Sequence, residues 1–346
     1  MNSFFLERGV IKMIASDKFK AMVVNEHENK TYSREIVAKE ISSLPDGDIL
    51  INVKYSSLNY KDALSATGNK GVTRNYPHTP GIDAAGIVVQ SINKNFKVGD
   101  SVLVTGYDLG MNTLGGYGQY IRVPANWVIK LPANLSLMDS MIYGTAGFTS
   151  ALSVYKLITS GILPSDGEIL VTGATGGVGS IAIKILKKLG YDVIALTGKS
   201  EAKKMLLEMG AQDILLRADV DDQSGKILLK ERWAGVIDTV GGNILATALK
   251  STKYGGCITS CGNVASPELS TTVYPFILRG ISLLGVDSVQ CPNELRIKLW
   301  HLLSNEWKPD DLSSNVQEVS LKDLDAKIEE ILKGKLFGRT IVNLDL

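Results

Sequence analysis

A glycine-rich turn between an apolar strand and an apolar helix constrains the fold more than any other feature. It runs from Gly173 to Gly179 with the spacing G-x-x-G-x-x-G, between apolar runs at 169–171 and 180–189. Glycines at such a turn let the backbone bend tightly and approach a pyrophosphate, which the N-terminus of the next helix attracts. The spacing departs from the strict G-x-G-x-x-G pattern, and a purely structural turn is the alternative. The strand–turn–helix context predicts a dinucleotide site instead. Its residues are Thr175, Gly176, Gly177, Val178 and Gly179.

The end of the next predicted strand, 192–197, indicates which dinucleotide binds. NAD enzymes usually carry an acid about 20 residues after the turn, where it holds the ribose 2′-OH. This chain has Thr197, Gly198 and Lys199 there, which suit a 2′-phosphate that a carboxylate would repel. Glu201 follows where a helix is expected to begin, and Arg217 either reaches the same phosphate or is a solvated surface charge. The sequence predicts NADPH as the cofactor.

The pattern along the chain predicts an α/β protein of two domains. Short β-branched runs with turn residues at their edges dominate residues 19–141. Strand-like and helix-like segments alternate over 142–278, which predicts a right-handed parallel sheet covered by helices. Residues 279–346 return to mixed character. We therefore expect a mostly β domain of 19–141 and 279–346 with a parallel-sheet domain of 142–278 inserted, after an N-terminal extension of residues 1–18.

Composition limits the partners. The chain has 346 residues, a formal net charge of +1 and interspersed charges, so neither nucleic acid nor a membrane is expected as a partner. No apolar stretch reaches the 18 residues that a membrane span needs. Three cysteines suit free thiols in a reducing compartment, and a cytoplasmic location is expected.

Several motifs in order resemble medium-chain dehydrogenase/reductases of the quinone oxidoreductase type. They stand at 57–62, 80–86, 98–100, 173–179, 238–241 and 338–340. Segments 254–257, 275–280 and 284–288 resemble the acrylyl-CoA reductase branch more narrowly. The resemblance covers about 20–344 and implies a GroES-like catalytic domain, an inserted Rossmann domain, NADPH use and a homodimer.

The resemblance also implies roles for individual residues. Tyr60 would lie beside the nicotinamide, in a loop shaped by Asn59 and Asp62, and either acts at the reacting centre or only contacts the cofactor. In an alternative interpretation, Lys61 and Asp62 only form a local ion pair. Arg339 would reach the cofactor or the substrate mouth, or else pair with an acid at the domain junction. The nicotinamide side would be lined by Asn263, Val264, Ile277 and Ser288. Many relatives have Ser-Gly-Arg at 197–199, and the lysine here keeps the charge but loses the bidentate fork.

No metal site is expected. Zinc enzymes of this superfamily have ligands around a Gly-His-Glu motif, and this chain has Ile82 at the histidine position. Its first cysteine is Cys257, so a four-cysteine structural lobe cannot form. Buried thiols are the expected state of Cys257 and Cys261.

Without a Lewis acid, an activated alkene is an easier substrate than an alcohol. Hydride from NADPH would add to the β-carbon of a C=C conjugated to a carbonyl, and hydrogen-bond donors would stabilise the developing enolate. A short 2-enoyl-CoA such as acrylyl-CoA is the expected small-molecule substrate. The alternatives are a quinone or free-enone reductase, and a non-catalytic NADPH-binding protein.

Overall fold

The computed structural model describes residues 18–346, with fifteen strands and nine α-helices in that range. The strands are β1 (Lys18–Glu26), β2 (Tyr32–Glu40), β3 (Ile49–Ser57), β4 (Asp83–Ser91), β5 (Ser101–Thr105), β6 (Tyr120–Val123), β7 (Ile129–Lys130), β8 (Ile169–Thr172), β9 (Val193–Thr197), β10 (Asp213–Leu216), β11 (Trp233–Asp238), β12 (Thr252–Ser260), β13 (Ser282–Gly285), β14 (Val316–Ser320) and β15 (Arg339–Asn343). The helices are α1 (Tyr60–Ala66), α2 (Leu137–Thr159), α3 (Gly177–Lys188), α4 (Lys203–Met209), α5 (Arg217–Val220), α6 (Gly242–Ser251), α7 (Tyr274–Arg279), α8 (Asn293–Ser304) and α9 (Leu324–Leu332).

A seven-stranded sheet carries the mostly β part of the molecule. Its order is β14-β15-β3-β4-β5-β7, with β6 also on β3, and every pair except β14–β15 is antiparallel. Strand β3 illustrates why: Ile49, Ile51 and Val53 alternate along it and are all buried. That period of two places one apolar face against the core. The β1–β2 hairpin covers this core, where Met22 donates its N–H to the carbonyl of Tyr117 at 2.9 Å.

A six-stranded parallel sheet forms the second part. Its order is β10-β9-β8-β11-β12-β13, and every pair is parallel. Numbered from β8, this is the 3-2-1-4-5-6 order of a Rossmann fold, in which ligands bind at the carboxyl ends where the order reverses. The reversal lies between β8 and β11, and the glycine-rich turn follows β8. The expected α/β fold with a parallel-sheet insertion is confirmed.

The expected end of the inserted domain at residue 278 does not match the strand pairing. Strand β13 hydrogen-bonds to β12 in the parallel sheet, although residues 279–346 were assigned to the other domain. The sequence alone separates the two because the exposed helix α7 lies between them. We propose that the inserted domain continues to Gly285. The expected N-terminal extension lies outside the described residues, except for Lys18, which begins β1.

Helix α2 connects the two parts. Its residues contact β3, β4 and β15 of one sheet, β11 and β12 of the other, and helix α3. The helix is interrupted at Gly144, whose φ of 50° and ψ of −155° are not helical. Within residues 18–346, no helix is both long and apolar enough to cross a membrane.

Candidate active site

The glycine-rich turn is packed too closely for side chains at its two ends. A Cβ on Gly179 would lie 2.5 Å from the carbonyl oxygen of Gly173, and a Cβ on Gly173 would clash with Thr239. Gly173 also has a φ of 61°, which disfavours residues with a side chain. Helix α3 therefore begins directly above the end of β8, with Gly176 as its N-cap. Its first N–H groups have no partner within the helix and suit a phosphate.

The residues expected around a 2′-phosphate meet at one edge of the parallel sheet. Thr197 and Leu216 are partners in the β9–β10 register, so Gly198 and Arg217 follow side by side. The guanidinium carbon of Arg217 lies 3.6 Å from the position of a Cβ on Gly198. Lys199 shares this edge, and burial lowers its pKa.

A buried carboxyl group, that of Asp62, fixes the loop that is expected beside the nicotinamide. Asn59 is the N-cap of α1, and the Asp62 carboxylate accepts hydrogen bonds from the backbone N–H groups of Asn59 and Ile82, both at 2.8 Å. Burial raises the pKa of Asp62 to about 7, with a further contribution from the charge of Asp83. The side chain of Tyr60 is 49% exposed. Asp62 is thus a scaffold for the loop, while Tyr60 is presented to solvent.

The alternative of a Lys61–Asp62 ion pair is wrong, because Asp62 is fully buried and points back to the backbone. No ion pair joins these two side chains in the described part of the chain.

Asp83 is a central residue that the sequence reasoning used only as part of a motif. Its carboxylate accepts hydrogen bonds from Ser57 Oγ at 2.6 Å and from Asn59 Nδ2 at 2.8 Å. It also accepts from the Thr145 N–H at 2.9 and 3.0 Å and from Thr145 Oγ1 at 2.6 Å. A buried carboxylate needs such hydrogen-bond partners because it has lost its hydration. The available signal was an acid at the first position of a buried strand, where apolar residues are usual.

Arg339 contacts the same serine, Ser57, as Asp83 does. Its Nη2 donates to Ser57 Oγ at 2.8 Å, while that hydroxyl donates to Asp83, so the serine links cation and anion. Its Nε donates to the carbonyl of Ile142 at 2.8 Å, and its Nη1 to Asn59 Oδ1 at 3.3 Å. Arg339 is 3% exposed. These contacts join Arg339 to residues of both parts of the chain, and its link to the acid Asp83 runs through Ser57.

Two glycines make room for this cluster. A Cβ on Gly144 would lie 2.5 Å from Asp83 Oδ2 and 2.9 Å from Arg339 Nη2. A Cβ on Gly177, the first residue of α3, would lie 2.9 Å from Arg339 Nη1. Arg339 therefore contacts the Tyr60 loop, the interruption of α2 and the start of α3.

The four residues expected on the nicotinamide side are not all brought together. Ser288 Oγ accepts a hydrogen bond from Thr149 Oγ1 on α2 at 2.9 Å. Asn263 lines a cavity of about 820 Å³ between α2, the ends of β12 and β13, and the start of α8. Val264 and Ile277 are instead 71% and 66% exposed and do not line this cavity.

Among residues 18–346, no three His, Cys, Asp or Glu side chains are grouped so that they could hold a metal ion. His78 is buried, and its backbone pairs with Val24 of β1. Ile82 likewise faces the interior.

Comparisons with known proteins match this geometry. The model of the alcohol dehydrogenase GroES-like domain matches residues 45–133, and that of the zinc-binding dehydrogenase matches 177–305. A Bacillus subtilis protein with the provisional name quinone oxidoreductase YhfP is 48% identical over 302 residues, covering 87% of this chain and 92% of its own. The acrylyl-CoA reductase AcuI of Ruegeria pomeroyi is 40% identical over 328 residues, covering 94% and 99%.

Two solved structures are similar throughout. The yhdH oxidoreductase of Salmonella enterica in complex with NADP has a TM-score of 0.91 at 41% identity, covering 94% of this chain and 99% of its own. The B. subtilis protein yhfP with NAD bound has a TM-score of 0.93 at 45% identity, covering 95% and 100%. The chain therefore belongs to the medium-chain dehydrogenase/reductase family of oxidoreductases, in the branch of the quinone oxidoreductases and acrylyl-CoA reductases.

Proposed function

We propose that the protein uses NADPH to reduce the C=C bond of a short 2-enoyl-CoA, with acrylyl-CoA as the leading substrate. The observation that carries this proposal is the full-length similarity to acrylyl-CoA reductases, at 40–41% identity over 94% of the chain. The presence of both the dinucleotide turn and the Tyr60 loop favours an enzyme over a non-catalytic binding protein.

The described residues fit a phosphorylated dinucleotide. The turn from Gly173 to Gly179 has no room for side chains at its two ends, as expected where a pyrophosphate packs on backbone. Arg217 and Lys199 lie at the edge where a ribose 2′-phosphate would lie. The backbone N–H of Lys199 donates a hydrogen bond to Thr197 Oγ1 at 3.1 Å, so this hydroxyl lies at the same edge. NADP(H) is thus the cofactor, although one solved relative holds NAD.

When bound, the cofactor supplies the hydride, and the protein supplies orientation and electrostatics. Asp62 and Asp83 fix the Asn59–Tyr60 loop through the hydrogen bonds given above. Negative charge that develops on the substrate carbonyl needs hydrogen-bond donors, and the exposed side chain of this loop is Tyr60. The proton for the α-carbon then comes from Tyr60 or from solvent.

The experiment is to follow NADPH absorbance with acrylyl-CoA, a simple quinone and a free enone in parallel, with NADH as the cofactor control. We expect acrylyl-CoA to be reduced far faster than the other two. A preference for the quinone would favour the second candidate function, which rests on the 48% identity to a relative named as a quinone oxidoreductase. Tight NADPH binding with no turnover of any substrate would overturn both.

We also propose a homodimer formed through β13 and α7. The far edge of β13 pairs with no strand among residues 18–346, and α7, which precedes β13 in the chain and contacts β12, exposes Ile277 and Leu278. Unpaired edges and exposed apolar patches of this kind usually pair with another chain. Changing Ile277 and Leu278 together to Glu should give a monomer in light scattering, whereas the equally exposed Leu207→Glu on α4 should not. A dimer that survives the double change would exclude this surface.

The three free thiols suit a cytoplasmic location, as expected from their number. Fractionation of the source cells would test it, and recovery in an oxidising compartment would contradict it.

A further inference from the structure

Two cations, Arg217 and Lys199, stand at the edge expected to bind the 2′-phosphate, and they have different surroundings. This inference rests on the proposed use of NADPH and asks which of the two recognises it. The sequence motif favours Lys199, because it occupies the position at which many relatives have arginine. The structure separates the two residues by what each already contacts.

Lys199 is already engaged by the end of the chain. Its Nζ donates to the carbonyl oxygen of Leu336 at 2.8 Å and lies 4.1 Å from the ring centroid of Phe337. The same segment continues with Gly338, whose N–H donates to the Thr175 carbonyl at 3.0 Å. Lys199 therefore fastens residues 336–338 to the parallel-sheet domain. Because this ammonium already contacts a carbonyl and an aromatic ring, a phosphate would stabilise it less than it would stabilise an ammonium without partners.

Arg217 has no such commitment. Its side chain is exposed, and in the described part of the chain it makes no hydrogen bond, ion pair or ring contact. Its guanidinium lies within 3.6–3.9 Å of the Cβ position on Gly198, so it covers the bare backbone between Thr197 and Lys199. A planar guanidinium donates two parallel hydrogen bonds to a phosphate, which an ammonium cannot do.

We infer that Arg217 is the specificity-determining residue for the 2′-phosphate, and that Lys199 mainly holds the 336–338 segment in place. Glycine at 198 is part of this arrangement, since it leaves the guanidinium in contact with the strand end. Arg217 thus replaces the bidentate fork that the lysine at 199 lacks.

The test compares Arg217→Ala and Lys199→Ala in the full chain, with Lys204→Ala as the control for removal of a nearby exposed charge. Two quantities are measured: the ratio of kcat/KM with NADPH to that with NADH, and the Kd of adenosine 2′,5′-bisphosphate relative to adenosine 5′-monophosphate. The second needs no turnover. Because charge-assisted bidentate bonds are the strong ones, Arg217→Ala should lower both preferences by about 10–100-fold. Lys199→Ala should lower them by less than about threefold, and Lys204→Ala should not change them.

The outcomes separate the inference from the proposed function. If the unmodified protein prefers neither NADPH nor the bisphosphate, the proposed cofactor is wrong and the inference falls with it. If it does prefer them and Arg217→Ala keeps that preference within threefold, the inference alone is wrong. A larger loss in Lys199→Ala than in Arg217→Ala would likewise assign recognition to the lysine.

Discussion

The buried carboxyl of Asp62 should make the protein less stable as pH rises from its unfolded pKa of 3.8 to its folded pKa of about 7. Burial and the nearby charge of Asp83 raise the pKa of Asp62 from 3.8 to about 7 in the folded protein. An acid with a raised folded pKa favours folding at pH values below its unfolded pKa. That contribution is lost as pH rises from the unfolded pKa to the folded one, because only the unfolded chain has released its proton there. The perturbation that isolates it is Asp62→Asn, which cannot ionise.

The magnitude follows from the part of this window that an experiment covers. Between pH 5 and pH 7 the unfolded carboxyl is ionised and the folded one is protonated, a span of 2 units at 1.36 kcal/mol each, or about 3 kcal/mol. The variant also loses one of the two backbone hydrogen bonds from Asn59 and Ile82, since an amide NH₂ cannot accept it. That loss costs about 1–3 kcal/mol and is equal at both pH values. The difference between variant and parent should therefore shift by about 3 kcal/mol in favour of Asn from pH 5 to pH 8.

The assay is urea unfolding followed by tryptophan fluorescence at pH 5 and pH 8 for the parent and for Asp62→Asn. Taking the difference between the two proteins removes the pH dependence of all other groups. Asp219→Asn, which changes an exposed acid, is the matched control and should give the same difference at both pH values. If the Asp62 difference stays constant within 1 kcal/mol, the carboxyl is ionised in the fold and this reasoning is refuted.

Three further outcomes are expected. Gly144→Ala should lower the free energy of unfolding by roughly 2–5 kcal/mol, because alanine is strained at this positive φ and its Cβ would meet the Asp83 carboxylate. The control is Gly190→Ala, which has a φ of 80° but open space around it. It should cost only about 1 kcal/mol in the same denaturant titration. Asp83→Asn should destabilise by about 3–5 kcal/mol in thermal or urea unfolding, since Arg339 is left buried without its counter-charge; a change below 1 kcal/mol would contradict this. Burial raises the pKa of Cys261 to about 12, so a thiol reagent at pH 8 should react slowly with the native protein and rapidly after denaturation; rapid native reaction would show an accessible thiolate.

Local patterns predicted the parallel sheet well. The second Rossmann strand was expected to end at Thr197, as β9 does, and the apolar run at 169–171 before it forms β8. Strand β2 was missed because Tyr32–Glu40 is rich in charged residues, has no fully buried residue and pairs only with β1. Helix α1 was missed because its seven residues are too few for a helical period.

The candidate site divides in the same way. The glycine-rich turn and residues 197–199 are each a short continuous segment of sequence, so local patterns could identify them. The cluster of Ser57, Asp83 and Arg339 joins residues up to 282 positions apart. No spacing rule connects such distant residues, and only the folded chain reveals that Ser57 links the acid to the arginine.

The charges around Asp62 favour its neutral form. With Asp62 protonated, the buried charges of Asp83 and Arg339 cancel, whereas ionising Asp62 would leave one net negative charge in the interior. Arg339 lies beside Gly177, at the helix N-terminus that is expected to attract an anionic pyrophosphate, so a net negative charge around this arginine would oppose that attraction. A neutral Asp62 therefore favours both the fold and the binding of a phosphate. The same proton that stabilises the Tyr60 loop should thus strengthen cofactor binding, and Asp62→Asn should bind NADPH at least as well at pH 8 as at pH 5.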